Sequence, residues 1–199
     1  QLFEIGRGRV IAKDELIYTK DNGYPVYSSQ TKNNGVLGYI GSFDYNTPQL
    51  TWTTDGANAG TVFLRQGKYN CTNVCGTLKL KRTNIHLKYI YYALFIGAPF
   101  YKRKDINGYK IMNNEMAIIK VPIPNYQEQK FIAEKLDEQT TTIDKLIYET
   151  KQSIEELRKY KQSIITEIVT KGLDSNAKLK DSGINSFGKI PVHWKTDKI

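Results

Sequence analysis

Cysteine, histidine, methionine and tryptophan each occur only twice in the 199 residues. Cys71 and Cys75 have no further cysteines beside them, and His86 and His193 lie far away in sequence, so the about four ligands of a zinc site are missing. Two lone thiols without a secretory signal fit a reduced, cytoplasmic protein. Long apolar runs are lacking as well. The longest, Ile90 to Phe100, contains Gly97 and Pro99 and is too short for a bilayer, which argues against a membrane partner. Catalytic signatures are also missing: no Asn/Asp-Pro-Pro-aromatic tetrapeptide of an adenine methyltransferase occurs. Gly60 to Lys68 has the wrong spacing for a phosphate-binding GxxxxGK[ST] loop, with Tyr69 where Ser or Thr belongs. Glu128 and Lys130 form a Glu-x-Lys triplet, but the carboxylate partner of a nuclease motif is absent. These gaps imply a non-catalytic chain with no metal or cofactor of its own. The first residue, Gln1, is not an initiating methionine, and we expect a piece of a longer protein.

Proline and glycine are both absent between Pro124 and Gly172. Leu136, Ile143, Thr150, Leu157 and Ile164 recur every seven residues there, with a second ladder four positions on through Thr140, Ile147, Ile154, Lys161 and Ile168. Two ladders at that offset predict a long helix, Gln127 to about Thr170, with one narrow apolar seam that packs lengthwise on another helix. Leu136, Ile143, Ile147, Ile154, Leu157, Ile164 and Ile168 are its pairing residues. Thr140, Thr150 and Lys161 weaken the seam but fix register. At ~1.5 Å per residue the rod measures roughly 65 Å, too long to bury its seam on a domain of this size. Pro122 and Pro124 force an extended entry, and Gly172 after Lys171 reads as the helix end.

Residues 1 to 120 hold 16 Lys+Arg against 8 Asp+Glu, residues 121 to 172 hold 8 against 9, and the remainder 5 against 3. The positive excess therefore sits in the front segment and points to a polyanionic partner there, with a protein partner for the near-neutral helix. Within the front segment, Tyr24 to Ser28, Gly38 to Ile40, Leu50 to Thr54, Thr61 to Leu64 and Gly76 to Lys81 cluster strand formers between turn residues. Lys88 to Ile96 has helical spacing, which directs Tyr89 and Tyr92 to packing rather than to a base-stacking platform. After the helix, Leu173 to Ser182 reads as a polar connector, and Ile184, Phe187, Ile190 and Trp194 as a docking segment.

The run IPNYQEQKFIAEKLDEQTTTIDKLI followed by LRKYKQSIITEIVTKGLD resembles the conserved spacer region of the DNA-specificity subunits of type I restriction and modification systems. DSGINSFGKIPVHWK is similar to the phrase that opens each half of such subunits. The resemblance implies an α/β (α+β) chain: a mixed-strand globular target-recognition domain, 1–122, then one long coiled-coil-forming spacer helix, 123–172, then a connector and the start of the next half, 173–199. It further implies sequence-specific recognition of one half of a bipartite double-stranded DNA target. The helix would serve as spacer and as docking site for modification (methyltransferase) subunits that use S-adenosylmethionine. Restriction subunits would add ATP- and Mg-dependent cleavage. A second half-subunit, in the same polypeptide or as a second copy, would pair with the helix in antiparallel fashion.

Duplex recognition needs cations on phosphates and polar side chains at base edges. Lys102, Arg103 and Lys104, with Lys110 nearby and Tyr101 and Tyr109 interleaved, form the densest basic cluster and the candidate phosphate clamp. Tyr27 to Tyr39 supplies Ser28, Ser29, Gln30, Thr31, Lys32, Asn33 and Asn34, and Gln or Asn can bond both N6 and N7 of adenine. Thr53 to Gly60, TTDGANAG, resembles the family's glycine-rich motif. Thr53 and Asn58 are its DNA candidates, while Asp55 is expected on the loop's own amides. Arg7 and Arg9 add charge suited to phosphate. Two other readings stay open: a coiled-coil assembly scaffold that reads no sequence, and the recognition part of a fused restriction-methylation enzyme.

Overall fold

The computed structural model describes residues 1–17, 23–106 and 108–198. Contacts divide the chain into two units, Gln1–Asp137 and Glu138–Ile199.

The first unit is built on an antiparallel four-stranded sheet in the order β1 (Phe3–Arg7), β7 (Cys75–Leu80), β4 (Gln49–Thr53), β5 (Val62–Arg65). A smaller sheet joins β3 (Val36–Ile40) to β2 (Tyr24–Tyr27) antiparallel and β2 to β6 (Asn70–Cys71) parallel. Strand alternation decides what each face meets. Leu50, Trp52, Val62 and Leu78 pack with Ile90 and Leu94 of α1 (Leu87–Gly97), and Ile85, Ile111 and Met116 join them. Thr51 and Arg65 are buried too, and Tyr27, Tyr69, Cys71 and Cys75 form a second cluster. Both thiols are free and buried. Tyr89 is buried and donates to the Pro122 carbonyl (3.0 Å), so it packs rather than offering a stacking surface. A short hairpin, β8 (Arg103–Asp105) and β9 (Gly108–Lys110), and a five-residue helix, α2 (Asn113–Ala117), follow.

The long helix α3 covers Tyr126–Lys171, one residue from the predicted limits at either end. Its start is fixed by the pattern Asn-x-x-Glu: the Asn125 Oδ1 accepts the Glu128 amide (3.0 Å) and occupies one of the helix's unpaired donors. The fully buried Gln129 then locks the first turns to the first unit. Its Oε1 accepts the His86 amide (2.9 Å) and its Nε2 donates to the Pro124 carbonyl (2.7 Å). Ala133 is buried, and Asp137 accepts from the Tyr92 hydroxyl (2.6 Å) and pairs with Lys88. The first unit therefore takes in about three turns of the helix.

In the second unit, Ile143, Ile147, Ile154, Leu157, Ile164 and Ile168 remain exposed, Ile154 at 44% and Leu157 at 65%. Leu136, just before it, is half-buried. Thr150, inside the seam, satisfies its hydroxyl on the Leu146 carbonyl (2.7 Å), so its polarity adds no unpaired group. Gly172 has φ +77° and donates its amide to Ile168 (2.9 Å), the left-handed stop expected of a helix C-terminus. The connector expected at Leu173 to Ser182 is partly a strand: β10 (Leu179–Asp181) pairs with β11 (Lys189–Pro191). Three-residue strands have no period to read, so pairing at the hairpin decided it. Of the docking segment, Ile190 is buried in this hairpin, while Ile184 and Phe187 are exposed.

Candidate nucleic-acid interface

Two groups of candidate residues are organised by the fold. The first gathers the glycine-rich loop, the β8–β9 hairpin and Arg7. The loop backbone pairs with the hairpin, the Gly56 amide bonding Tyr109 O (2.9 Å) and the Ile111 amide bonding Thr54 O (3.0 Å). Gly56 and Gly60 take φ +87° and +88°, so the loop turns where only glycine is unstrained. Along this junction the charges alternate: Glu115 to Arg103 (3.0 Å), Arg103 to Asp105 (3.8 Å), Asp105 to Lys110 (2.7 Å), Lys110 to Asp55 (3.7 Å), and Asp55 to Arg7 (3.9 Å).

That chain of ion pairs engages most of the candidate cations. Arg103 and Lys110 are tied to carboxylates, and the Lys102 ammonium lies 4.6 Å over the Tyr109 ring. Lys104 alone of the four is exposed with no charged or ring partner among the described residues. Among the described residues, no amide of its own loop bonds the Asp55 carboxylate, contrary to expectation. It accepts from the Thr54 hydroxyl (2.7 Å) and neutralises Arg7 and Lys110. Thr53 is 0% exposed and donates to the Asn58 carbonyl, so its side chain belongs to the loop's framework rather than to a surface. The Asn58 residue itself is exposed. Arg9 is bound by Asp44 (3.1 Å) and Glu15 (3.3 Å), and its charge is compensated locally.

The Asp105 carboxyl is held below the usual carboxylate range by its hydrogen bond from Lys110 and the nearby charges of Lys110 and Arg103. For Glu115, burial pushes its carboxyl up, but the Met112 amide (2.8 Å) and Arg103 outweigh it and leave the group lowered. Both acids stay ionised and keep two of the cluster's cations engaged.

The second group is the β2–β3 connection. Ser28 donates its amide to Gly35 O (3.0 Å), and the Gln30 amide nitrogen closes the loop on Val36 O. Gln30 is therefore a loop staple, and Ser29 is half-buried beside it. Lys32, Asn33 and Asn34 are exposed at the tip, and both asparagines are in the left-handed region, with φ 49° and 51°. Asparagine tolerates that conformation better than other non-glycine residues. No hydrogen bond or ion pair among the described residues joins these three side chains to the hairpin group.

Sequence reasoning missed Arg65, Gln129 and the acids Asp105 and Glu115. Asn125-x-x-Glu128 was a visible capping pattern that would have located the helix start. Nothing local marks Arg65, whose role depends on a loop about thirty residues earlier. Among the described residues no three His, Cys, Asp or Glu side chains gather as a metal site, and no helix is long and apolar enough to cross a membrane.

Residues 1–156 match the family described as type I restriction modification DNA specificity domain. A relative from Mycoplasma pneumoniae described as the N-terminus of a putative type I specificity subunit is 43% identical over 136 residues, 67% of this chain and 71% of the relative. Among solved structures, a type I restriction-modification S subunit from M. genitalium superposes with a TM-score of 0.60 at 19% identity, covering 87% of this chain and 44% of that one. A structure concerning complex assembly and conformational transition of the type I system gives 0.66 at 15% identity, covering 83% and 43%. The chain thus spans less than half of each of those solved chains, and that likeness concerns the fold. On the family match over residues 1–156 and the relative's identity, the chain belongs to the type I restriction modification DNA specificity domain family.

Proposed function

We propose that this chain is a non-catalytic specificity module that reads one half of a split duplex DNA target. The observation that carries the reading is the family match across 1–156, which includes both loop groups and about the first two thirds of the helix. The β2–β3 tip, Lys32 to Asn34, and the exposed Asn58 are the base-edge candidates. Lys104 is the phosphate contact best supported by its exposure. Arg7, Arg103 and Lys110 act chiefly by fixing the hairpin against the loop.

The exposed ladder on α3 supports the second element of the reading, a helical mate from a second half in the same polypeptide or from a second copy. An exposed row of isoleucine and leucine at coiled-coil spacing is stabilised by covering it with a similar helix. The spacing between half-sites would then be set by the helix. Modification subunits carrying S-adenosylmethionine would dock along the spacer, and restriction subunits would bring ATP, Mg and cleavage, all in the cytoplasm. A selection from a randomised duplex library, with the chain assembled with its modification subunits, tests this. Enrichment of a short fixed sequence is expected, with affinity falling steeply as salt rises. Recovery of an unenriched library would refute the recognition role.

A further inference from the structure

Arg65 closes β5 with its side chain 1% exposed, and every part of the guanidinium has a fixed neighbour. Nε donates to Thr51 Oγ1 (3.1 Å) and Nη1 to the Asn34 carbonyl (2.8 Å). The central carbon lies 3.5 Å over the Tyr27 ring and 4.1 Å over Phe63. Nη2 is buried without a hydrogen-bond partner among the described residues and faces Gly35, where an added Cβ would come within 2.9 Å of it. A buried cation is unfavourable unless its geometry is well satisfied, and an apolar side chain could fill this space at less cost. What an apolar side chain cannot do is grip a carbonyl with a flat, forked donor while stacked between two rings.

The gripped carbonyl belongs to the second of two consecutive left-handed asparagines, and Gly35 at φ +81° makes a third such residue. Successive non-glycine residues in this region are unfavourable and persist only where their surroundings hold them. We propose that Arg65 is a positioning residue for DNA specificity: from inside the fold it latches the Asn33–Gly35 backbone and thereby fixes how Lys32, Asn33 and Asn34 are presented to base edges. This deepens the reading of that loop as a base-contacting element and rests on it. Lysine would keep the charge but lose the fork, so charge alone does not supply the latch.

The test uses the chain assembled with its modification subunits and a randomised duplex library as probe. Arg65→Lys attacks the latch from one side and Gly35→Ala from the other, while Lys32→Ala and Asn33→Gly alter the displayed side chains. With the latch, both Arg65→Lys and Gly35→Ala lower discrimination between the enriched sequence and its shuffled form by roughly tenfold, about one base pair's worth. Affinity for the unselected library stays within about twofold, because a buried guanidinium neutralises no phosphate. The double variant is no worse than the poorer single one, as expected of two breaks in one contact. A folded Arg65→Lys that enriches the unchanged sequence, while Asn33→Gly alters it, overturns the latch. If Lys32→Ala and Asn33→Gly also leave the sequence unchanged, the base-contacting reading of the loop falls, and the latch with it. Loss of folding, or equal loss of library binding, in both Arg65→Lys and Gly35→Ala would make Arg65 a structural support and equally overturn the proposal.

Discussion

Asp105 and Glu115 hold the cations that a sequence reader would assign to phosphate. Their lowered carboxyls give a pH dependence of definite sign. A carboxyl whose folded pKa lies below its unfolded value of about 4 contributes fully above that value and loses its contribution as pH falls through the folded pKa. The β8–β9 hairpin should therefore keep its amide protection between about pH 7 and pH 5 and loosen below about pH 4. Hydrogen exchange at Tyr109 and Lys110 measures this, and a hairpin already open at pH 6 would contradict it. Lys104→Ala should reduce the slope of log affinity against log salt by about one. Arg103→Ala should leave that slope almost unchanged and instead release the hairpin, which proteolysis would reveal. Sequence identified the basic run but could not divide it. That division depends on Glu115 and on Asp55, which reaches the hairpin only through a nonlocal backbone pairing.

Element by element, periodic segments were legible and short paired ones were not. The predicted strands at Tyr24, Gly38, Leu50, Thr61 and Gly76 and the helix at Lys88 lie within about two residues of those observed, the usual uncertainty of element ends. β1 was missed because Phe3–Arg7 is a strand by virtue of its partner, Gly76 to Leu80, far along the chain. β8 and β9 are three residues each, and charged side chains fill β8. At the start of α3, Gln129 is the residue whose loss should be felt most. Gln129→Leu strands the His86 amide and the Pro124 carbonyl, each costing about 1–3 kcal/mol when buried unpaired. Urea unfolding should show an unfolding free energy lower by about that amount, and so an earlier midpoint, and an unchanged midpoint would mean that water replaces both bonds. Along the helix, the pairs Lys145–Glu149 (3.8 Å) and Lys171–Glu167 (3.5 Å) are exposed and add only a few tenths of a kcal/mol each. Pairing, rather than these contacts, should hold the seam, so Ile154→Asp is expected to abolish self-association and reduce helical content.

For the whole molecule, the division of charge and the apolar ladder support separate proposals, DNA for the front segment and a helical mate for α3. Fold class and helix were legible at this scale because both are written in period and composition. The geometry proposed for base reading was not, because it rests on backbone conformation, as at Asn33 and Asn34, and on a buried arginine bonded to that backbone. The central claim is that the exposed ladder from Ile143 to Ile168 requires a like helix. Sedimentation equilibrium of the 199-residue chain across a wide concentration range tests it most directly. The predicted result is a reversible species of twice 22.8 kDa, which Ile154→Asp returns to one copy. A single 22.8 kDa species at every concentration, with the full helix retained by circular dichroism, would contradict it.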